Sequence, residues 1–561
     1  MQWKTKTIQL ITFFLLIFNK ANSQTPFTDV TAESGIDHQF VVYEGMFGGG
    51  VAVFDMNNDG FEDLYITGGM NDDSLYLNNG DGTFTNIFDQ SGLELTRNYV
   101  SQGVVCADVN KDGWVDLFIT TITTKDSTKI IPRAENLLFL NNGDMTFRDV
   151  TEEYHLTSLN SFSTGANFGD INADGYPDLY IGNYFLEYEG KLSKISDATI
   201  VNSKNTAKGY LLINHKGKYF KNVYEDYGLN HRGFGFGALF SDFDNDGDQD
   251  IFVIHDFGYK AVPNLLLENQ YPKKKFYDIA EELEMNLKIN SMGAAVGDYD
   301  NNGYLDYFMT NIRFNHFMVN QGPNKPFKNM AKELGMHNVT ISWGANFADF
   351  DHDGDLDLYV SNGDLNPNCV PMGNFYFENL NGIFKERGRV MGVNDYGIGR
   401  GSVIFDIEND GDMDILVINQ KPVLDYPVES HSRLFRNDAS NGNWLKVRLI
   451  GVDSEANGIG SRVEVIIGET HMIREIDGGG SSHLSQNSTI AHFGIGKAQK
   501  IDSVIVTWLG GKKQILINQP VNTLLKIKET EQKSKGLFYL SLVFLSLLMF
   551  FIMIRKFFGN K

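Results

Sequence analysis

The sequence predicts an all-β protein: a seven-bladed β-propeller over residues 24–440, a small β domain over 441–530, and a C-terminal transmembrane helix. Three observations carry this expectation. The pattern Asp-x-[Asp/Asn/Glu]-x-[Asp/Asn]-Gly-x-x-Asp occurs seven times, its copies starting 51 to 72 residues apart. Each copy sits in the same succession of short apolar strands, which suits one four-stranded blade per copy. The strand that closes each unit is found before the first copy and is missing after the last.

The chain opens on a secretory signal, residues 1–23. Lys4 and Lys6 precede an apolar run from Ile8 to Phe18, and Ala21-Asn22-Ser23 supplies small residues for cleavage after Ser23. The repeats follow. A strand of small residues leads into each copy, as in Phe47-Gly-Gly-Gly-Val-Ala-Val-Phe54, and an apolar strand such as Leu64-Tyr-Ile-Thr67 leaves it. A third strand runs into an Asn-rich turn (Leu75 to Phe84, Leu138 to Phe147), and Phe147-Arg-Asp-Val-Thr151 closes the unit. The seventh unit has Leu434-Phe-Arg-Asn437 but no closing element, whereas Phe27 to Gly35 has the closing pattern and no unit before it. The N-terminal strand is therefore expected to complete the last blade, which removes two raw sheet edges.

The repeated loops read as calcium sites. A hard divalent cation takes six to eight oxygens, and positions 1, 3, 5 and 9 of a tight loop present most of them, with glycine at position 6 allowing the turn. The predicted ligands are Asp55, Asn57, Asp59 and Asp63; Asp108, Asn110, Asp112 and Asp116; Asp170, Asn172, Asp174 and Asp178; and Asp242, Asp244, Asp246 and Asp250. The last three loops offer Asp298, Asp300, Asn302 and Asp306; Asp349, Asp351, Asp353 and Asp357; and Asp406, Glu408, Asp410 and Asp414. Up to seven structural Ca²⁺ ions are expected. An EF-hand is excluded because position 12 is Ile66, Ile119, Ile181 or Val253 inside an apolar strand, where that motif needs glutamate between helices. Asp, Asn and Gly also make good turns, but turns alone do not account for the charge. These 28 positions hold 24 carboxylates against a net charge of -23 for the whole chain. Two carboxylates about 4 Å apart repel by about 4 kcal/mol at an effective dielectric of 20, so loops this acidic call for cations.

The glycine-rich strand followed by the Asp loop resembles the FG-GAP repeats of integrin alpha subunits and related bacterial surface repeats. After the repeats come Asn443-Trp-Leu-Lys-Val-Arg-Leu, Gly458-Ile-Gly-Ser-Arg-Val-Glu-Val, Arg474-Glu-Ile-Asp-Gly-Gly-Gly, Leu484-Ser-Gln-Asn-Ser and His492-Phe-Gly-Ile-Gly. This succession is similar to the ASPIC/UnbV domain, and the combination resembles the cartilage acidic protein family. The resemblance implies an extracellular binding or adhesion role. One departure stands out: His483 in Gly478-Gly-Gly-Ser-Ser-His483 takes a place where an aromatic is expected. His483 and His492 have no carboxylate or cysteine cluster beside them and read as structural.

Residues 531–536 form a linker, and Leu537 to Ile554 is long enough at 1.5 Å per residue to span a bilayer, with 555–561 as a cytoplasmic tail. A sorting signal removed after export is the alternative reading of this segment. The acidic balance excludes nucleic acid as a partner, and Cys106 and Cys369 alone make no disulfide framework. The expected function is an exported, membrane-anchored, calcium-binding scaffold that grips an extracellular protein or glycan at the cell surface. Its candidate contact loops are Tyr184 to Tyr210 and Asp364 to Asn374. No Gly-x-Ser-x-Gly or His-Glu-x-x-His motif is present. The competing reading is a propeller enzyme acting on extracellular glycans: carboxylates converging in the channel favour it, and a dry, glycine-lined channel favours the scaffold.

Overall fold

A computed structural model describes residues 25–42, 48–122, 135–157, 159, 162–185, 206–364, 370–438 and 442–531. The predicted signal peptide, membrane helix and tail lie outside these residues, as do Cys369, most of the Tyr184 to Tyr210 insertion, part of Asp364 to Asn374 and all but Glu531 of the linker. Among the described residues no helix is long and apolar enough to cross a membrane.

The repeat region folds into seven antiparallel sheets, the repeated architecture of a β-propeller. In the first unit Val51–Phe54 pairs with Asp63–Ile66, then with Ser74–Asn78 and Phe84–Asn86. The apolar runs form strands buried on both faces, packed between neighbouring sheets. Loop position 9 is the first residue of the second strand in every unit, as at Asp63, Asp116 and Asp178.

The N-terminal strand Phe27–Asp29 pairs antiparallel with Arg433–Asn437, Phe27 opposite Asn437, and so completes the seventh sheet as expected. Phe27 is buried and meets Phe350 edge-on, with ring centroids 5.7 Å apart. A second device links the sheets in order. The asparagine at the end of each third strand, or just past it in the fifth unit, donates its side-chain amide to a loop carbonyl of the preceding unit: Asn141 to Met56, Asn214 to Val109, Asn269 to Ile171, Asn320 to Phe243, Asn379 to Tyr299, and Asn437 to Phe350. Asn78 of the first unit reaches Ile407 of the seventh, 3.0 Å away. The same bond thus joins the two ends of the repeat.

The fifth unit departs from the rest. An extra strand, Ile312–Phe314, leaves it to pair with Val339–Ala348, giving the sixth sheet five strands. The C-terminal domain has two sheets. Asn443–Ile450 lies between Ala491–Gly496 and, in parallel, Thr523–Lys528; Arg462–Ile467, Thr470–Glu475, Ile501–Thr507 and Lys513–Gln519 form the other. Its core, including Val447, Val463, Phe493 and Trp508, is continuous with Val105, Val109 and Phe168 of the repeats. The two regions share one hydrophobic core.

Candidate functional site

Each Asp loop is built by its own carboxylates. Both oxygens of position 1 accept backbone N–H groups from positions 5 and 6; in the first loop Asp55 takes Asp59 N–H at 3.1 Å and Gly60 N–H at 3.0 Å. The same pair of bonds recurs at Asp108, Asp170, Asp242, Asp298, Asp349 and Asp406. Position 5 accepts from position 7, as Asp59 does from Phe61 N–H at 2.8 Å. Gly60 has a φ of +98°, a left-handed conformation that L side chains rarely adopt, so position 6 is glycine for a backbone reason.

Position 9 is the buried anchor. Asp63, Asp116, Asp178, Asp250, Asp306, Asp357 and Asp414 are all buried, and each accepts a backbone N–H from the third-strand asparagine. Burial, joined by the Asp55 and Asp59 charges, pushes the Asp63 carboxyl up to about 8. Burial likewise raises Asp349 to about 7, with Asp353 the strongest of its charged neighbours. A buried carboxylate is stable only when paired or bound to a metal.

In three loops the carboxylate oxygens come within 4.8 Å of one another: Asp242, Asp244 and Asp250; Asp298, Asp300 and Asp306; Asp349, Asp351 and Asp353. Asp250, a member of the first of these clusters, has a buried Oδ2 with no hydrogen-bond partner. Buried, hard, oxygen-only donors with an orphaned lone pair fit a divalent cation of the calcium type. Loops one to three carry asparagine at position 3, so Asn57, Asn110 and Asn172 replace one carboxylate; there Asn57 donates to Asp59 and Asn110 to Asp112, both at 2.9 Å. The seventh loop is the least suited. Glu408 is drawn 3.4 Å from Arg436, and Lys446 Nζ lies 2.7 Å from Asp406.

The C-terminal domain covers these loops, which the sequence did not reveal. Besides Lys446, Arg448 lies 2.9 Å from Asp55 and Arg462 lies 3.8 Å from Asp242. Arg474 is half-buried; burial lowers the pKa of its guanidinium, and the charges of Asp349 and Asp298 oppose that shift. Lys111, at position 4 of the second loop, donates to the carbonyls of Val452, Asp453 and Ser454. No spacing in the sequence links a basic residue of one domain to a loop hundreds of positions away.

The same domain fills the centre of the repeats. Residues 478–486 touch the first strand of every unit. Gln486 exchanges backbone hydrogen bonds with Val51 and Val53, at 2.9 and 3.2 Å, and its side-chain amide pairs with both backbone groups of Cys106, at 2.6 and 3.0 Å. Leu484 O accepts Val104 N–H, Gly478 O accepts Phe168 N–H, and Ser482 exchanges two backbone bonds with Ala294. Ser482 Oγ accepts Ser402 N–H at 3.1 Å. His483 completes the set, edge-on to Phe236 at 5.5 Å and Trp343 at 5.0 Å, while its Nδ1–H donates to Met292 O. A segment in contact with all seven first strands occupies the axis around which they stand. A Cβ on Gly50 or Gly293 would collide with the carbonyl of Leu484 or Ser482, so these glycines make room for the segment. His483 does the packing work of an aromatic ring, which explains the departure in the sequence. Burial lowers its imidazole to about 3 and keeps it neutral. His492 is also buried, with Nε2 2.9 Å from Gly411 O, so both histidines are structural.

Two family models match the chain: FG-GAP-like repeat at residues 55–119, 127–181, 242–309 and 298–360, and ASPIC and UnbV at 451–534. Cartilage acidic protein 1 of Xenopus tropicalis is 25% identical over 82% of this chain and 70% of its own length. The Homo sapiens protein of that name is 23% identical over 90% of this chain and 75% of its own length. Among solved structures, an Agrocybe aegerita lectin that recognises non-reducing terminal N-acetylglucosamine aligns at 15% identity over 63% of this chain and 82% of its own, with a TM-score of 0.36, too loose a likeness to carry weight. The chain is an FG-GAP-repeat protein with a C-terminal ASPIC/UnbV domain, similar over most of its length to cartilage acidic protein 1.

Proposed function

We propose that the chain is an exported, seven-bladed, calcium-loaded β-propeller, held at the cell surface by the helix 537–554, that works as a binding scaffold for an extracellular protein or glycan. The observation that carries this reading is the filled axis. An enzyme working inside the central channel would need that space open, and residues 478–486 take it up with their backbone groups hydrogen-bonded to the strands. The filled axis favours the scaffold over a glycan enzyme acting within the channel, and the outer loops and blade edges are the surfaces offered to a partner.

Calcium would be held by positions 1, 3, 5 and 9 of the loops, most readily in the fourth, fifth and sixth, where three carboxylates converge. The ion supplies positive charge to buried oxygens that otherwise repel one another. The residues do the rest. Position 9 anchors the second strand, position 1 shapes the turn, and the cations of the C-terminal domain balance the outer oxygens of Asp55, Asp242 and Asp406. Lys446 makes the seventh loop the weakest site.

The test is a calorimetric calcium titration with thermal melts in calcium and in chelator. Several ions bound and a large rise in melting temperature support the reading, since each site contributes about 2.7 kcal/mol when free calcium exceeds its Kd a hundredfold. No binding and no shift would overturn it.

A further inference from the structure

On a chain of net charge -23, one surface cleft is basic. It opens beside the third Asp loop, between the third-unit turn at 214–221 and the fourth-unit turn at 269–274, with a volume of about 690 Å³. That is within the range of small-molecule sites, about 300–1,000 Å³. Lys216, Lys218, Lys221 and Lys274 line it and are exposed. Lys221 is paired with Asp226 at 3.3 Å, but Lys218 and Lys274 close no ion pair with a described carboxylate. Tyr271 stands among them, a residue 46% exposed, followed by Pro272. Among the described residues the acids on the wall are Asp226, already paired, and Asp174, a predicted calcium ligand.

Exposed lysines normally repay no explanation. Here an acidic molecule gathers them into one concavity beside an unburied aromatic ring, a combination that matches a ligand with anionic groups and an apolar sugar face. Lysines supply mobile point charges for sulfate or carboxylate groups, and a tyrosine ring offers a rigid flat surface for the ring of a saccharide. A positive cleft draws anions to itself and raises their local concentration there. We infer that this cleft binds an anionic saccharide, its sulfate or carboxylate groups on Lys216, Lys218 and Lys274 and a sugar ring against Tyr271. The inference rests on the scaffold reading and names its ligand class and site.

The test uses the purified full-length protein in calcium at physiological ionic strength, with dextran sulfate, neutral dextran and polyglutamate as probes. Dextran sulfate is expected to bind, dextran not to, and polyglutamate to bind more weakly. The triple variant K216E/K218E/K274E should lose at least about tenfold in affinity for dextran sulfate, because it reverses the charges that hold and steer the ligand. Tyr271→Ala should weaken dextran sulfate and leave polyglutamate unchanged, separating sugar recognition from charge alone. Equal binding of dextran sulfate by wild type and triple variant, polyglutamate binding as tight as dextran sulfate, or no binding by the wild type would each overturn the inference. The calcium-dependent melt of both proteins, measured in parallel, reports on the scaffold reading separately: its loss refutes the calcium propeller, and its retention without saccharide binding refutes only the cleft.

Discussion

Replacing Gln486 by leucine removes the side-chain amide that pairs with both backbone groups of Cys106, at 2.6 and 3.0 Å, while keeping a side chain of similar length. Cys106 and Gln486 are both buried, so the variant leaves one N–H and one C=O without a partner or water. Each orphaned group costs about 1–3 kcal/mol, and the added apolar contact of leucine returns part of this. A net loss of about 3 kcal/mol follows, which makes withdrawal of residues 478–486 from the axis about a hundredfold more frequent at 1.4 kcal/mol per tenfold. Hydrogen exchange read by mass spectrometry on a peptide spanning residues 100–107 measures that opening directly, because the Val104 and Cys106 amides donate to Leu484 and Gln486. The variant is expected to exchange these amides about a hundredfold faster, with the outer strand Phe147–Asp149 little changed. Wild-type exchange of the 100–107 peptide at the rate of an exposed loop, or an unchanged rate in the variant, would refute the filled axis.

Other expectations follow from the same contacts. Asp250→Asn removes one of three converging carboxylates, so the protein should bind one calcium ion fewer, melting below wild type in calcium and no lower in chelator; calorimetry and paired melts check both. Gly60 and Gly411 hold the same loop position at φ +98° and +102°, but a Cβ meets nothing within 4 Å at Gly60 and collides with Trp444 at Gly411. Gly60→Ala should cost about 1–2 kcal/mol of backbone strain, and Gly411→Ala clearly more by denaturant melts, since it also pushes on the C-terminal domain. Burial lowers His38 and His255 from 6.5 to about 4 and His483 to about 3. The folded state therefore binds these protons later than the unfolded state, and stability present above pH 6.5 is lost as pH falls toward 4. At pH 5 this amounts to about 2 kcal/mol for each histidine, so His483→Phe, which takes up no proton, should change the difference in unfolding free energy between pH 7.5 and 5 by about 2 kcal/mol in favour of the acid side relative to wild type; an identical pH dependence in the two proteins would contradict the assignment.

The repeat made most of the fold legible. Seven Asp loops fixed the unit, and the misplaced closing element at Phe27 foretold the pairing with Arg433–Asn437, because a short strand with no local partner must find one elsewhere. The shape of the Asp loops was legible for the same reason: carboxylates and a glycine recur at fixed spacing, and the fold brings three carboxylates together in three of the loops. What escaped was long-range and carried no period. The segment 478–486 has neither strand alternation nor helical spacing, and its single signal was a histidine where an aromatic is expected. The strand Ile312–Phe314 escaped because it pairs outside its own unit. Lys446, Arg448, Arg462 and Arg474 became meaningful only when the fold carried them to the loops. The asparagine latches lay in plain view at the end of each third strand, where they read as turn residues until Asn78 was seen to reach Ile407.

Long-wavelength diffraction from crystals grown in calcium tests the central claim most directly, because anomalous scattering locates the ions themselves. Peaks are predicted inside the Asp loops, strongest beside Asp250, Asp306 and Asp349 and weakest beside Lys446. Loops free of anomalous density at saturating calcium would contradict the calcium-pinned propeller.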